Sequence, residues 1–274
     1  MNFPSPLELL LDPISLTVIA MFISLYVWEK LFPRNKNLPS IKYATIRGLI
    51  AFGIFFYLSS YLPIVTDGFL ADYQMIDLSG FPLILQVLIG LLTYQLFLYG
   101  WHWSMHRSNK LWKVFHQMHH SSERLDIPST FYFSPMDMIG FTLLGSIVFA
   151  LFMGVSPQSI TVIILSLNFL SIFQHANIQT PQWLGYFIQR PEQHAIHHQR
   201  GVHKYNYSDF PVYDLIFGTF SNPKTFEGEN GFYDGASTRV LEMIMFKDVS
   251  SDSGVNSEEK IGFVDNHKVK ITPS

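Results

Sequence analysis

His102-Trp103-Ser104-Met105-His106 is followed, nine residues on, by His116-Gln117-Met118-His119-His120. On a helix, residues i and i+4 share a face, as do i and i+3, so each cluster is expected to aim its imidazoles one way. A metal site needs that convergence and a solvated surface does not. A third cluster, His194-Ala195-Ile196-His197-His198, repeats the spacing of the second. Ten of the eleven histidines lie between His102 and His203, and only His267 sits in the tail. Ordered, separated clusters set in aromatic sequence read as a built site rather than a low-complexity metal-binding tract.

The sequence around the clusters is that of a membrane protein. Apolar residues make up 48% of the 274 and charged residues 14%, against about 25% charged in ordinary soluble domains. The net charge of −3 and the lack of a basic run give no sign of nucleic acid. Cysteine is absent, which excludes disulfides and thiolate sites and leaves imidazole, carboxylate, amide or water to hold a metal. No Lys or Arg precedes Lys30, so the apolar run from Ile14 to Phe32 is read as a retained membrane helix and not as a secretory signal. Its length is close to the roughly 20 residues that cross a bilayer.

Two further spans are expected over about Gly48 to Val65 and Phe81 to Gly100. The loop between the first two spans carries Arg34, Lys36, Lys42 and Arg47, whereas the next carries Asp67, Asp72 and Asp77. The excess of basic residues places the first loop in the cytoplasm. His102 then emerges on the same side, beside Arg107, Lys110 and Lys113. Two shorter runs, Asp137 to Met153 and Gln158 to Gln174, are separated by Gly154-Val155-Ser156-Pro157. At about 25 Å each they form either two spans or a hairpin that partly penetrates the bilayer. Both arrangements return His175 to the face of the other histidines. The third cluster follows Arg190-Pro191-Glu192, a helix start, with Gly201 as the stop.

The expected architecture is all-α: a polytopic membrane bundle of about three full spans plus a shorter hairpin, with a cytoplasmic histidine-rich helical cap. Residues 1–80 are read as N-terminal membrane helices and loops, 81–246 as the histidine-box catalytic domain, and 247–274 as a polar tail. Projected back along their helices, His102 and His106 share a face with Tyr99 and Gln95, and His175 with Ser171 and Asn168. Polar groups inside a bilayer are costly and usually face a cavity or the bundle interior. These four are therefore candidates for a polar throat leading a lipid to the metal, with helix–helix hydrogen bonding as the alternative.

Imidazole suits zinc, copper, iron and nickel alike. A structural zinc would take only four ligands, so nine clustered histidines fit two metals better. Asp214, Glu123 and Glu192 are candidate carboxylates for orienting the rings, with solvated charge or helix capping as the alternative.

The order HxxxH, HxxHH, isolated His, HxxHH resembles the fatty acid hydroxylase superfamily of membrane di-iron oxygenases, which includes sterol desaturases and alkylglycerol monooxygenase. Local wording agrees in His116-Gln117-Met118-His119-His120-Ser121-Ser122-Glu123, in Phe173-Gln174-His175-Ala176-Asn177, and in Tyr213-Asp214-Leu215-Ile216-Phe217-Gly218-Thr219. The last is similar to the family's W-D-x-x-F-G-T ending, and the likeness covers about 90–220. It implies two iron ions, with zinc as a substitute in a purified form. The ligands implied are His102, His106, His116, His119, His120, His175, His194, His197 and His198, with no catalytic side chain beyond the metal centre. Two departures stand out. Some members carry a second His four residues after the isolated one, where this chain has Gln179, and the family's R-x-H-P-x-E segment is here Tyr132-Phe133-Ser134-Pro135-Met136-Asp137. His203 and Gln179 stand as further candidates for the metal or its surroundings.

The implied function is an O₂-dependent oxidoreductase that hydroxylates or desaturates a C–H bond of a fatty acyl, sterol or alkyl ether lipid. No dinucleotide fingerprint is present, so electrons are expected from an external partner protein, or from a pterin in an alkylglycerol monooxygenase-like member. The rival classes are a membrane metal transporter or storage protein and a zinc-dependent membrane hydrolase. A transporter would string its ligands across the bilayer, and a hydrolase would work without O₂.

Overall fold

A computed structural model describes residues 3–251. Ser5 and Asp12 cap a short helix α1 (Pro6–Leu11) and the first long helix α2 (Pro13–Leu31), each with proline in its first turn. That position suits proline because its missing N–H has no helical partner there. Next come α3 (Ala44–Ala71) and α4 (Leu83–Arg107). A compact segment then runs through α5 (Asn109–Leu111), a π-helical turn Trp112–His116 and α6 (Gln117–His120). Ser134 and Ser156 cap α7 (Pro135–Ser146), which continues as a π turn to Phe152, and α8 (Pro157–His175). The cap is completed by α9 (Pro191–His197), α10 (Pro211–Phe217) and α11 (Val240–Ile244).

Five of these segments are long and apolar enough to cross a membrane: Pro13–Leu31, Ala44–Ala71, Leu83–Arg107, Pro135–Phe152 and Pro157–His175. The chain is thus an integral membrane helical bundle carrying buried histidine clusters. Two boundaries differ from the sequence expectation. Helix α3 runs on past Val65 to Ala71 with Pro63 inside it. Helix α4 passes through Gly100 without a break and ends only at Arg107, so His102 and His106 ride on the membrane helix itself. Glycine costs about 1 kcal/mol in a helix interior, too little to stop one of this length. Of the polar segment expected from 247 onward, the start packs on the protein, with Val249 buried and Lys247 and Val249 bonded through their backbone to Gln117; the rest, with His267, lies outside the described residues.

Helices α2, α4 and α8 end where the histidines gather, and that end is tied together by polar contacts. Glu29, on the last turn of α2, accepts hydrogen bonds from the backbone N–H of Ile127 (2.8 Å) and Asn177 (2.9 Å). Gly48 in the first turns of α3 packs so closely on Pro128 that a Cβ there would lie 2.0 Å from the Pro128 carbonyl oxygen. Phe22, Leu25, Ile127, Phe131, Ile172 and Phe173 form the apolar core beneath. At the opposite end a two-residue parallel pair, β1 (Ile76–Asp77) with β2 (Met153–Gly154), links the starts of α4 and α8. There the Gln86 side-chain oxygen also accepts from Ser156 N (2.7 Å) and Ser159 Oγ (3.0 Å).

Candidate metal centre

The nine histidines of the three clusters and His175 fall into two adjacent groups. His102, His106, His116, His120 and His197 form one, and His119, His175, His194 and His198 the other, with one ring nitrogen from each member within 4.8 Å of the rest of its group. The clusters do not each aim in one direction, as their spacing had suggested. At about 100° per residue, the i+3 and i+4 positions lie on either side of i, roughly 100° apart. Each HxxHH therefore serves both groups. His116 and His120 go to the first and His119 to the second, while His194 and His198 go to the second and His197 to the first. The two groups touch where the rings of His120 and His198 stack at 4.1 Å.

Hydrogen bonds on the outer nitrogens settle which nitrogen faces inward. Nδ1 of His102 meets the Tyr207 carbonyl (2.9 Å), that of His175 the Ser171 carbonyl (2.7 Å), and that of His197 the Tyr205 carbonyl (2.7 Å). Nδ1 of His116 meets the Asp137 carboxylate (2.9 Å) and that of His194 the Gln189 side-chain oxygen (3.1 Å). An oxygen acceptor requires N–H at Nδ1, which leaves the Nε2 lone pair of a neutral ring free. Those lone pairs then confront one another. Nε2 of His116 lies 2.9 Å from that of His102, and Nε2 of His175 lies 3.0 Å from that of His194. Two acceptors at that distance repel unless a cation lies between them. With metal–nitrogen bonds of about 2.1 Å at a right angle, the ligand nitrogens would sit about 3 Å apart. The donor set fits a metal ion in each group, and the clusters are suited to metal binding.

Burial makes the rings available. It pushes His116, His119, His120, His194, His197 and His198 well below the usual histidine range, and neighbouring imidazoles push the same way. Neutral imidazole is the form that binds metal. His106 Nε2, His120 Nε2 and His197 Nε2 are buried without a hydrogen-bond partner, a pattern expected of ligands.

The remaining candidates are placed variously. His203 abuts His120, Nδ1 to Nδ1 at 3.1 Å, and burial lowers it to about 4. Gln179 is exposed. Helix α8 ends at His175 and Ala176 turns extended, so the i+4 relation between His175 and Gln179 is lost. Asp214 is buried and accepts from the backbone N–H of Tyr207 (2.8 Å) and Ser208 (3.0 Å). It holds the loop whose carbonyl holds His102. Glu123 accepts from Ser237 N, and Glu192 binds Thr180 and Arg190; their hydrogen bonds and ion pairs go to groups other than the imidazoles. Gln95 is fully buried, donating to Asp209 Oδ2 (2.8 Å) and accepting from Asp209 N (2.8 Å). Tyr99 pairs its hydroxyl with Thr219. Asn168 donates to the Ile164 carbonyl of its own helix, and Ser171 meets His175 through its backbone. None of these four lines the apolar cavity of about 490 Å³ that opens between α2, α4 and α8 against Ile188 and Phe210.

The sequence reading named Asp137 only as the boundary of an apolar run and of a segment that departs from the family's, and neither it nor Gln189 as a support of an imidazole. A lone acid two residues inside a Ser-Pro helix start, within an otherwise apolar span, was the available signal for Asp137. The carbonyls of Tyr205 and Tyr207 had none, since backbone acceptors leave no mark on composition. Removal of such an outer partner usually weakens metal affinity about 10–100-fold. Asp137→Ala is expected to fall in that range by metal titration, and Asp137→Asn, which keeps an acceptor oxygen, to fall less. Unchanged affinity in Asp137→Ala would remove the carboxylate from the centre.

Comparison with known proteins bears on the same segment. Residues 87–219 match the family model described as fatty acid hydroxylase. Among similar proteins, sphinganine C4-monooxygenase 2 of Arabidopsis thaliana is 27% identical over 165 residues, covering 58% of this chain and 61% of the relative. An ornithine lipid hydroxylase of Rhizobium tropici is 29% identical over 147 residues, 52% of this chain and 44% of the relative. Human lathosterol oxidase is 31% identical over 199 residues, 68% of this chain and 61% of the relative. The chain thus spans between 44% and 61% of the length of these relatives. No solved structure matches it.

Proposed function

We propose that this chain, which matches the fatty acid hydroxylase family over residues 87–219, is a membrane-bound, O₂-dependent di-iron oxygenase that hydroxylates or desaturates a C–H bond of a lipid. The observation that carries this reading is the pairing of two buried histidine groups at one end of a membrane bundle. In the proposed ligand set His102, His106, His116, His120 and His197 hold one ion and His119, His175, His194 and His198 the other; Gln179 takes no part. Two ferrous ions, when bound, would supply O₂ reduction and hydrogen abstraction.

The chain's own residues supply the rest. Asp137, Gln189 and the carbonyls of Ser171, Tyr205 and Tyr207 fix ring orientation and tautomer, so the inward nitrogens stand ready as lone pairs. Burial of all nine rings but His106 to under a tenth exposure excludes bulk water, which protects a reactive centre from side reactions. On the membrane side the Phe133 ring packs on His119 at 4.6 Å and the Phe141 ring on His116 at 6.1 Å. These two apolar rings, one beside each group, form the wall along which a lipid carbon would approach. Residues 81–246 act as the catalytic segment on the N-terminal helices, with the histidines on the cytoplasmic side, where an external electron donor has access.

Lipid profiling of cells expressing the chain with and without O₂ tests the reading. A hydroxylated or newly unsaturated lipid is expected only in the aerobic culture, and only when His119 is intact. The same product formed anaerobically would contradict it.

A further inference from the structure

We propose that the loop Gly201–Tyr207 is a collar for the five-histidine group alone, so that the two metal positions are held by separate parts of the fold. The proposal rests on the two-metal reading above. Four of the five histidines in that group lean on this one loop. His102 donates to the Tyr207 carbonyl and His197 to the Tyr205 carbonyl. The His203 ring meets His120, Nδ1 to Nδ1 at 3.1 Å, and the His203 backbone faces His106. Only His116 is held from elsewhere, by Asp137.

The four-histidine group is supported differently. His175 bonds within its own helix and His194 bonds to Gln189, while Nδ1 of His119 and of His198 has no partner. The links between the two supports are indirect and both run through Asn206, whose carbonyl accepts from Gln189 Nε2 at 2.6 Å and whose amide donates to the Gln193 carbonyl at 3.0 Å. Gln189 is also anchored by its own N–H to the Asp209 carbonyl at 2.7 Å.

The collar is strained. His203 (φ 41°), Tyr205 (φ 72°) and Asn206 (φ 50°) all lie in the left-handed region, as does Gly201 (φ 74°). Three non-glycine residues in that region within four positions persist only where the surroundings over-determine them, and such strain gathers at functional sites. Here the anchors are visible. The Asn206 amide donates to the carbonyls of Gln193 and Ser221 and accepts from Ser221 N, and Asp214 holds Tyr207 N. With the His120 Nε2 lone pair directed at a metal, His120 must donate from Nδ1 to His203. His203 is therefore a positioning residue, acting through His120 rather than as a tenth ligand.

Cobalt(II) bound per chain, measured anaerobically on the detergent-purified full chain, tests this without reference to activity. At a concentration that just fills both positions of the wild type, His203→Ala is expected to bind about one ion where the wild type binds two, because loss of an outer partner weakens a site about 10–100-fold. Adding His106→Ala should leave that one ion in place, whereas adding His175→Ala should remove it. Gln189→Ala should show the mirror pattern, its remaining ion sensitive to His106→Ala and not to His175→Ala. Helix content and gel-filtration behaviour report folding. If His203→Ala fails to fold, Gly201→Val, which strains the loop where a Cβ meets no neighbour, is expected to give the same count. Two ions retained, both lost from a folded variant, or the same ion lost in the His203 and Gln189 variants would overturn the collar. A wild type that binds no cobalt would overturn the two-metal reading and the collar with it.

Discussion

A His197→Ala chain is expected to reach the membrane in normal amount and to form no detectable product, a larger loss than the roughly 10–100-fold typical of an outer partner. His197 is fully buried and is the only residue of the third cluster in the five-histidine group. Its ring lies 4.5 Å from that of His102, 4.8 Å from His106 and 4.6 Å from His120, so its removal opens the centre of the group and not its edge. Alanine is the best helix former, which leaves α9 able to present His194 and His198. His119→Ala is the counterpart from the second cluster, removing one of four ligands from the other group. Product analysis against membrane-fraction abundance checks both, and full activity in both variants would remove the histidines from the chemistry.

The largest loss of stability is expected from Arg190→Met. Arg190 is fully buried, and its guanidinium pairs with Glu192 at 3.1 Å. It also donates to Thr180 Oγ1, the Thr180 carbonyl, Asn222 Oδ1 and the Pro223 carbonyl. These bonds seat the start of α9, and with it the third cluster, against two loops. Methionine fills much of the same space but leaves the Glu192 carboxylate buried with Thr180 as its remaining hydrogen-bond donor. Breaking a buried ion pair from one side costs about 3–5 kcal/mol. The charge of Arg34, which also acts on Glu192, should hold the loss toward the lower end. Thermal unfolding in detergent reads the effect. A variant as stable as wild type would mean that the pair adds nothing to the seating of α9.

The bundle was legible in the sequence because membrane helices announce themselves by length and apolarity, and five such segments stand in the structure. The histidines were legible because helical spacing brings a metal's ligands together. Their division between two groups was harder to see, since i+3 and i+4 look alike as neighbours of i until the angle between them matters. The four polar residues projected onto the histidine faces were placed correctly on their helices, but periodicity does not say what a side chain bonds to. Gln95 is occupied by Asp209, and Asn168 by its own helix. Gln179 was a candidate only through the resemblance, at the place where some family members carry a second His, and helix α8 ends at His175 before reaching it. The collar stayed hidden because its work is done by backbone carbonyls and left-handed residues, which only a three-dimensional arrangement discloses.

The number of ferrous ions bound per chain, with the full-length protein purified and loaded anaerobically, tests the central claim most directly. Two per chain are expected, falling to about one when either His106 or His175 alone is replaced by alanine. A folded wild-type chain that binds one ion or none would contradict the account.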